Sequence, residues 1–302
     1  MRRDAILMAT YNGIKWLNFQ IESILNQKDV EVKIFISDDN SKDGTFEFLN
    51  KLSKRDSRIT LLPKRKKFKN AGNNFYRLIR EVDASNYDFF GLSDQDDIWN
   101  LNKINNQIKM LSMNSADCIS SNVIAFWSDG KERCIVKSQP QRKLDFIFES
   151  AGPGCSFLIN KKVFLRLQNL ISLQERKVNE IEMHDWLIYA ICRTYKYKWL
   201  IDASASLAYR QHDQNVVGAN YGLKALILRI KKIKSGWYRN EIIKISNICQ
   251  TINQDFKVKK ILDLLQNKSF ISQIRLLSFL NQSRRKLTDR LGLYFLVIFF
   301  IF

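Results

Sequence analysis

Asp94, Asp96 and Asp97 crowd together in Ser93-Asp94-Gln95-Asp96-Asp97, directly after an apolar run. Carboxylate oxygens are hard ligands that suit Mg2+ or Mn2+. An ion held there can bridge a diphosphate and neutralise charge on a departing nucleotide. The same residues also suit a helix start, because Asp caps free backbone N–H groups. Asp38-Asp39 is a second acidic pair, within the turn-forming stretch Ser37-Asp38-Asp39-Asn40-Ser41-Lys42-Asp43-Gly44. Its carboxylates can accept hydrogen bonds from a base N–H or from ribose hydroxyls, or close a turn on their own backbone. Short acidic motifs recur by chance, so neither cluster alone decides between chemistry and capping.

The elements around these residues alternate. Apolar runs over 5–9, 30–36, 59–62, 87–92 and 118–126 read as strands, and helical spacing over 16–25, 45–54, 74–82 and 101–113 separates them. This order predicts an α/β fold: a mostly parallel sheet flanked by helices. In such sheets ligands bind outside the carboxyl ends of the strands. The loops beginning at Thr10, Ser37 and Ser93 each follow a strand and therefore share one sheet edge. Beyond these, 157–160, 198–201 and 206–210 read as strands and 184–195 as a helix opening on His184-Asp185. From about residue 221 the pattern is helical and basic, and composition places a boundary near 218–222. That predicts a catalytic domain over 1–220 and a basic, helical, membrane-associating region over 221–302.

Charge separates the two parts. The 302-residue chain carries a formal net charge of +19. Sixteen Lys and Arg against four Asp and Glu in 221–302 account for +12 of it. Such an excess calls for a polyanionic partner, either nucleic acid, an anionic membrane or a phosphorylated substrate. No nucleic-acid recognition motif accompanies it. Within 223–234, Leu223, Leu226, Ile227, Ile230 and Ile233 recur at helical spacing among Lys224, Arg229, Lys231, Lys232 and Lys234. This is the pattern of a basic amphipathic helix, either on an anionic membrane or packed on the rest of the chain. Residues 291–302 are uncharged and apolar, too short to cross a bilayer, which needs about 20 residues. They suit shallow insertion beside headgroups. The five cysteines are scattered without a Cys-x-x-Cys pair, which predicts reduced, buried thiols. The N-terminus runs straight into a strand without the apolar region of a signal peptide, so a cytoplasmic location is expected.

Taken together, Ala9-Thr10-Tyr11-Asn12-Gly13, then Ser37 to Thr45, then Ser93-Asp94-Gln95-Asp96-Asp97-Ile98-Trp99 resemble the family 2 glycosyltransferases in order and spacing. His184-Asp185-Trp186 and Tyr209-Arg210-Gln211-His212, followed by Asn215-Val216-Val217-Gly218, extend the resemblance to bacterial rhamnosyltransferase-like members. Asp213-Gln214 departs from the Gly-Asn often found at that point. The resemblance implies a GT-A-type nucleotide-binding sheet and an inverting transfer. Thr10, Tyr11, Asn12, Asp38 and Asp39 would hold the nucleoside. Asp94, Gln95 and Arg210 would hold the diphosphate. Asp94 and Asp96 would stand in the Asp-x-Asp motif that binds Mg2+ or Mn2+, with Asp97 supporting the loop and His212 a further ligand.

Asp185 would be the general base that takes the acceptor hydroxyl's proton, a task a partly desolvated carboxylate can perform. Trp186 beside it would shield the site, or else fill the core. Arg210 can pair bidentately with a diphosphate, and a neutral His212 can coordinate a metal. Gly152-Pro153-Gly154-Cys155 resembles the acceptor-side segment, where small residues leave room. The expected partners are a dTDP- or UDP-sugar donor, a lipid-linked glycan acceptor and an anionic membrane surface at the cytoplasmic face, with no nucleic acid. The donor sugar expected is L-rhamnose, for a cell-surface polysaccharide. The competing readings are a nucleotidyltransferase of nucleotide-sugar synthesis and a basic nucleic-acid-binding protein. A processive synthase is disfavoured, since no Arg-Trp pair occurs.

Overall fold

The computed structural model describes residues 2–65, 67–68, 70–212, 227, 230–267 and 269–302. The first strand, β1 (Arg3–Thr10), is apolar from Ala5 to Ala9, where both faces are covered. Ala5, Leu7 and Ala9 point into one core, and Ile6 and Met8 into another, the two-residue alternation of a pleated strand. β2 (Glu31–Asp38), β3 (Ile59–Leu61) and β4 (Phe89–Ser93) follow, and β1 pairs in parallel with both β2 and β4. The order β3-β2-β1-β4 continues into β8 (Leu158–Asn160), β6 (Cys118–Phe126), β9 (Trp199–Arg210) and β5 (Ile98–Trp99), with β7 (Glu132–Ile135) beside β6.

The expected α/β architecture is present. The sheet is parallel across β3-β2-β1-β4 and again between β6 and β9. β5, β7 and β8 run antiparallel to their neighbours. The segments read as separate strands over 198–201 and 206–210 are one strand, β9, whose register against β6 shifts near Ser121 and Asn122.

On one face lie α1 (Ile14–Leu25), α2 (Thr45–Arg55) and α4 (Lys103–Met113), whose apolar sides join Ile6, Met8 and Ile34. On the other lie α3 (Ala71–Glu81), α5 (Asp145–Phe148), α6 (Lys161–Leu173), α7 (Glu175–Val178) and α8 (His184–Thr194). The C-terminal helices α9 (Trp237–Ile252), α10 (Phe256–Gln266), α11 (Phe270–Leu280) and α12 (Leu287–Ile298) extend that second core through Ile242, Ile245, Ile261, Leu280 and Val297. Tyr238 stacks on Trp186 at 5.6 Å and donates its hydroxyl to the Phe148 carbonyl at 2.6 Å. Trp186 is therefore a core residue: it is buried, and its indole N–H donates to the Phe146 carbonyl.

The boundary placed at 218–222, the Asn215-Val216-Val217-Gly218 motif and half of the 223–234 segment lie outside the described residues. Four cysteines are buried thiols as expected, while Cys134 is exposed on β7.

Candidate active site

All three polar loops leave carboxyl ends of parallel strands. Register sets Thr10 against Asp38 and Met8 against Ser93, so the loops after β1, β2 and β4 rise side by side. β1 has β2 on one flank and β4 on the other, which makes the gap between β1 and β4 the switch point where such sheets hold ligands.

The Asp38 carboxylate is turned inward. It accepts Thr10 Oγ1 at 3.0 Å, Ser41 N at 2.9 Å and Ser41 Oγ at 2.5 Å. Asn12 takes a left-handed φ of 49°, its N–H donates to Ser41 Oγ, and its side-chain oxygen accepts Lys42 N–H at 2.8 Å. Asp38, Thr10 and Asn12 thus fasten the first two loops to each other. Asp39 Oδ1 accepts the Phe68 N–H at 2.6 Å, and burial raises its carboxyl above the usual range. The Tyr11 phenol is exposed and accepts a hydrogen bond from Lys67 Nζ at 3.0 Å.

Gln95 joins the first loop to the acidic one. Its amide oxygen accepts Tyr11 N–H at 2.8 Å and its amide N–H donates to the Tyr11 carbonyl at 3.0 Å. The side chain thereby imitates a neighbouring strand. A Cβ on Gly13 would lie 2.2 Å from the Gln95 amide oxygen, so glycine is what admits the clamp. Beneath the loops, Asn74 donates to the Ser37 carbonyl at 2.8 Å, and the buried Arg77 donates to Ser37 Oγ and the Pro63 carbonyl. Asn74 and Arg77 form the site's floor. Their signal in the sequence was two polar residues three apart on a helix face that should be apolar.

In the acidic loop Asp94 is half-buried, and Asp96 and Asp97 are buried. Lost hydration, then the charges of Asp96 and Asp185, push the Asp94 carboxyl up to about 7. Asp97 is raised well above the usual range, first by burial and then by Asp96 and Asp94. Asp97 Oδ1 accepts the Arg210 N–H at 3.2 Å, fixing the end of β9 to the loop. Arg210 Nε donates to the Asp96 carbonyl at 2.8 Å, with its guanidinium over the rings of Trp16 and Phe126. His212 Nε2 lies 2.7 Å from Asp96 Oδ2, and its ring stacks on Trp16.

Sequence reasoning placed Cys155 in the acceptor-side segment but not beside the acidic loop, and passed over Lys103. The Cys155 thiol meets Asp94 and Asp97 with all ligand atoms within 4.8 Å, and burial raises it well above the usual thiol range. A thiol held protonated suits hydrogen bonding to carboxylates better than binding a hard cation. Lys103 Nζ lies buried 3.4 Å over the Trp99 ring, and burial drives it down to about 7.

Asp185 stands in the first turn of α8, half-buried, where burial raises it to about 6. It accepts the Trp186 N–H at 2.7 Å, while the nearby Ser150 hydroxyl donates to the Gly152 carbonyl at 2.8 Å. Neighbouring His184 stacks on Phe75 at 3.9 Å, and burial keeps it neutral, with a pKa of about 3. A Cβ on Gly154 would stand 2.6 Å from His184 Nε2, so the expected small-residue segment packs directly on the helix that carries Asp185.

The acidic loop thus lies at the switch point of an α/β sheet, within electrostatic reach of the raised Asp185 carboxyl. Residues 5–165 match the model of glycosyl transferase family 2. A dTDP-rhamnosyl transferase of Shigella flexneri, RfbG, is 41% identical over 296 residues, covering 98% of this chain and 100% of that protein. The Escherichia coli UDP-Glc:alpha-D-GlcNAc-diphosphoundecaprenol beta-1,3-glucosyltransferase WfaP is 33% identical over 111 residues, 37% of this chain and 42% of that one.

Among solved structures, S. aureus TarS 1-349 in complex with UDP superposes with a TM-score of 0.56 at 13% identity, covering 96% of this chain and 77% of that one. The Pyrobaculum calidifontis mannosyltransferase PcManGT, in complex with GDP-Man and Mn2+, gives 0.53 at 12% identity, covering 91% and 72%. These structures share the fold. The chain belongs to glycosyl transferase family 2, and is a glycosyltransferase. Family membership sets aside the nucleotidyltransferase and nucleic-acid-binding readings.

Proposed function

We propose that the enzyme transfers L-rhamnose from dTDP-rhamnose to a lipid-linked glycan acceptor, with inversion, at the cytoplasmic face of the membrane during cell-surface polysaccharide synthesis. The observation that carries the reading is the electrostatic proximity of Asp94 and Asp185, since each carboxyl is raised and Asp185 contributes to raising Asp94. The acidic loop thus has within electrostatic reach a carboxylate suited to accept a proton near neutral pH.

In this mechanism Tyr11 and Asp39 hold the nucleoside, while Asp38 and Asn12 shape their loop. Asp185 takes the proton from the acceptor hydroxyl as that oxygen bonds to the anomeric carbon and the bond to the diphosphate breaks. Attack from the side opposite the nucleotide inverts the centre. The crowded carboxyls of Asp94 and Asp96 carry a surplus of negative charge that a divalent cation would relieve, with His212 at the rim as a nitrogen ligand. Mg2+ or Mn2+ bound there would neutralise the departing diphosphate. Arg210 positions that loop through the Asp96 carbonyl. The membrane setting draws on the donor and the diphosphoundecaprenol-linked acceptor in the named relatives' descriptions.

The test is a panel of dTDP-, UDP- and GDP-sugars assayed for binding and hydrolysis with and without Mn2+. Preference for dTDP-rhamnose is expected, and a strict preference for another donor sinks the assignment. Asp185→Asn should lower transfer by about a thousandfold or more while donor binding persists. Wild-type turnover should rise as pH passes about 6 and Asp185 ionises, then level off. A rate unaffected by either change argues against the base.

A further inference from the structure

The C-terminal helices pack one face into the core and leave the other uncovered. Along α12 and its C-cap, Leu287, Leu291, Phe295 and Phe299 recur every fourth residue and are all about half exposed or more, Leu291 at 58%. Their opposite numbers Arg290, Leu293 and Val297 are buried. On the adjoining α11, Phe270 and Ile274 are exposed too, and Phe270 stacks on Phe300 at 5.2 Å, joining the two surfaces. Such a continuous apolar face marks an interaction surface rather than ordinary scatter.

Charge selects the occupant. Exposed Lys286 precedes the α12 stripe, and exposed Arg275 adjoins Ile274. The acidic Asp289 of α12 is held half-buried by Arg284 at 3.6 Å, so it does not interrupt the stripe. A second copy would bring another +12 segment against this one, whereas anionic headgroups complement it. At about 1.5 Å per residue the twelve residues of α12 reach about 18 Å. That is short of a bilayer core of about 30 Å, so the helix suits lying in the interface plane.

We propose that the exposed face of the α11–α12 hairpin docks into the anionic lipid monolayer. This deepens, and rests on, the reading of a lipid-linked acceptor. The hairpin turn ties the docking face to the cleft. Arg285 donates to Asp145 Oδ2 at 3.2 Å and to the Ser150 carbonyl at 2.5 Å, and the Ser150 hydroxyl donates to the Gly152 carbonyl in the segment whose Gly154 packs on His184 and Asp185. The acceptor wall of the site is thus fixed relative to the lipid surface, and a hydroxyl carried at headgroup level meets the base without the enzyme leaving the membrane.

The experiment is co-sedimentation of the full chain with phosphatidylethanolamine–phosphatidylglycerol vesicles and with phosphatidylcholine vesicles. The wild type should pellet with the former and more weakly with the latter. Leu291→Glu with Phe295→Glu should weaken partitioning by about tenfold or more, with melting temperature and nucleotide-sugar binding unchanged. A second variant, Arg275→Glu with Lys286→Glu, leaves the apolar stripe intact and should reduce binding to anionic vesicles in a salt-dependent way. Undiminished pelleting of both variants overturns the proposal. So does a wild type that ignores anionic vesicles, or one that forms dimers split by the stripe variant. Vesicle binding as expected without any sugar turnover leaves the surface standing and removes the transfer reading instead.

Discussion

Asp38 and Asp39 are adjacent and alike, yet their environments differ. Asp38 spends its oxygens on Thr10 and Ser41, while Asp39 accepts the Phe68 N–H from the loop that follows β3. The sequence marks both as polar residues at a strand end but cannot apportion them, because orientation depends on which neighbours arrive from distant segments. The same limit hid Cys155, a lone thiol until the fold sets it against Asp94 and Asp97.

Asp96→Ala should abolish most of the Mn2+ dependence of donor binding, measured by titration calorimetry. Unchanged metal dependence contradicts its assignment as a ligand. Asp4 offers a second residue-level test, at the far end of β1. It is fully buried, and neither carboxyl oxygen has a hydrogen-bond partner among the described residues. Burial raises it from 3.8 to about 7. The folded state then holds a proton that the unfolded chain has lost, so this group's contribution falls as pH rises from about 4 to about 7 and is flat above. Asp4→Asn should raise the melting temperature by about 2–5 °C above pH 7 and change little near pH 4.

At the scale of elements, the strands bearing the motifs were the most legible. β6 begins and ends at the expected residues, and β1 and β2 differ by a residue or two; 5–9 of β1 is the continuous apolar run of a buried parallel strand, while β2 alternates. The two-residue β5 and the exposed β7 carry no such pattern, being defined by pairing with β9 and β6. The reading of β9 as two pieces reflects exposed Ala203 and Ser204, which interrupt the pattern at the register shift. α8 shows what packing adds. Its first turn carries Asp185, and the position of that turn depends on Gly154 below His184. Gly154→Ala should force the His184 ring from Phe75, displace Asp185 and lower kcat by up to about 100-fold with donor KM little changed. Wild-type kinetics in this variant would show that the contact does not set the base.

At the scale of the molecule, charge and composition distinguished the C-terminal region but not how it attaches. Its apolar residues divide between the core and the exposed hairpin face, a division only tertiary packing creates. Leu293, Val297 and Phe302 lie in the core, and Arg239 donates to the Phe302 carbonyl at 3.0 Å. Removing 291–302 should therefore unfold or aggregate the enzyme, since each large apolar side chain lost from a core costs about 2–5 kcal/mol. A monodisperse truncated protein with an unchanged melting temperature would show that these contacts are dispensable.

The Gln95 clamp carries a kinetic consequence. Because one side chain bonds both backbone groups of Tyr11, the loop after β1 and the acidic loop are tied to one another, and the proposed nucleoside and diphosphate contacts should form and break together. Free nucleoside and free pyrophosphate, offered separately, each meet only half of what the intact donor engages. Their binding energies should sum to less than that of the joined molecule, and the spent nucleotide should leave in one event. Donor binding should then precede acceptor binding and the nucleotide should leave last, an order that product-inhibition kinetics would check.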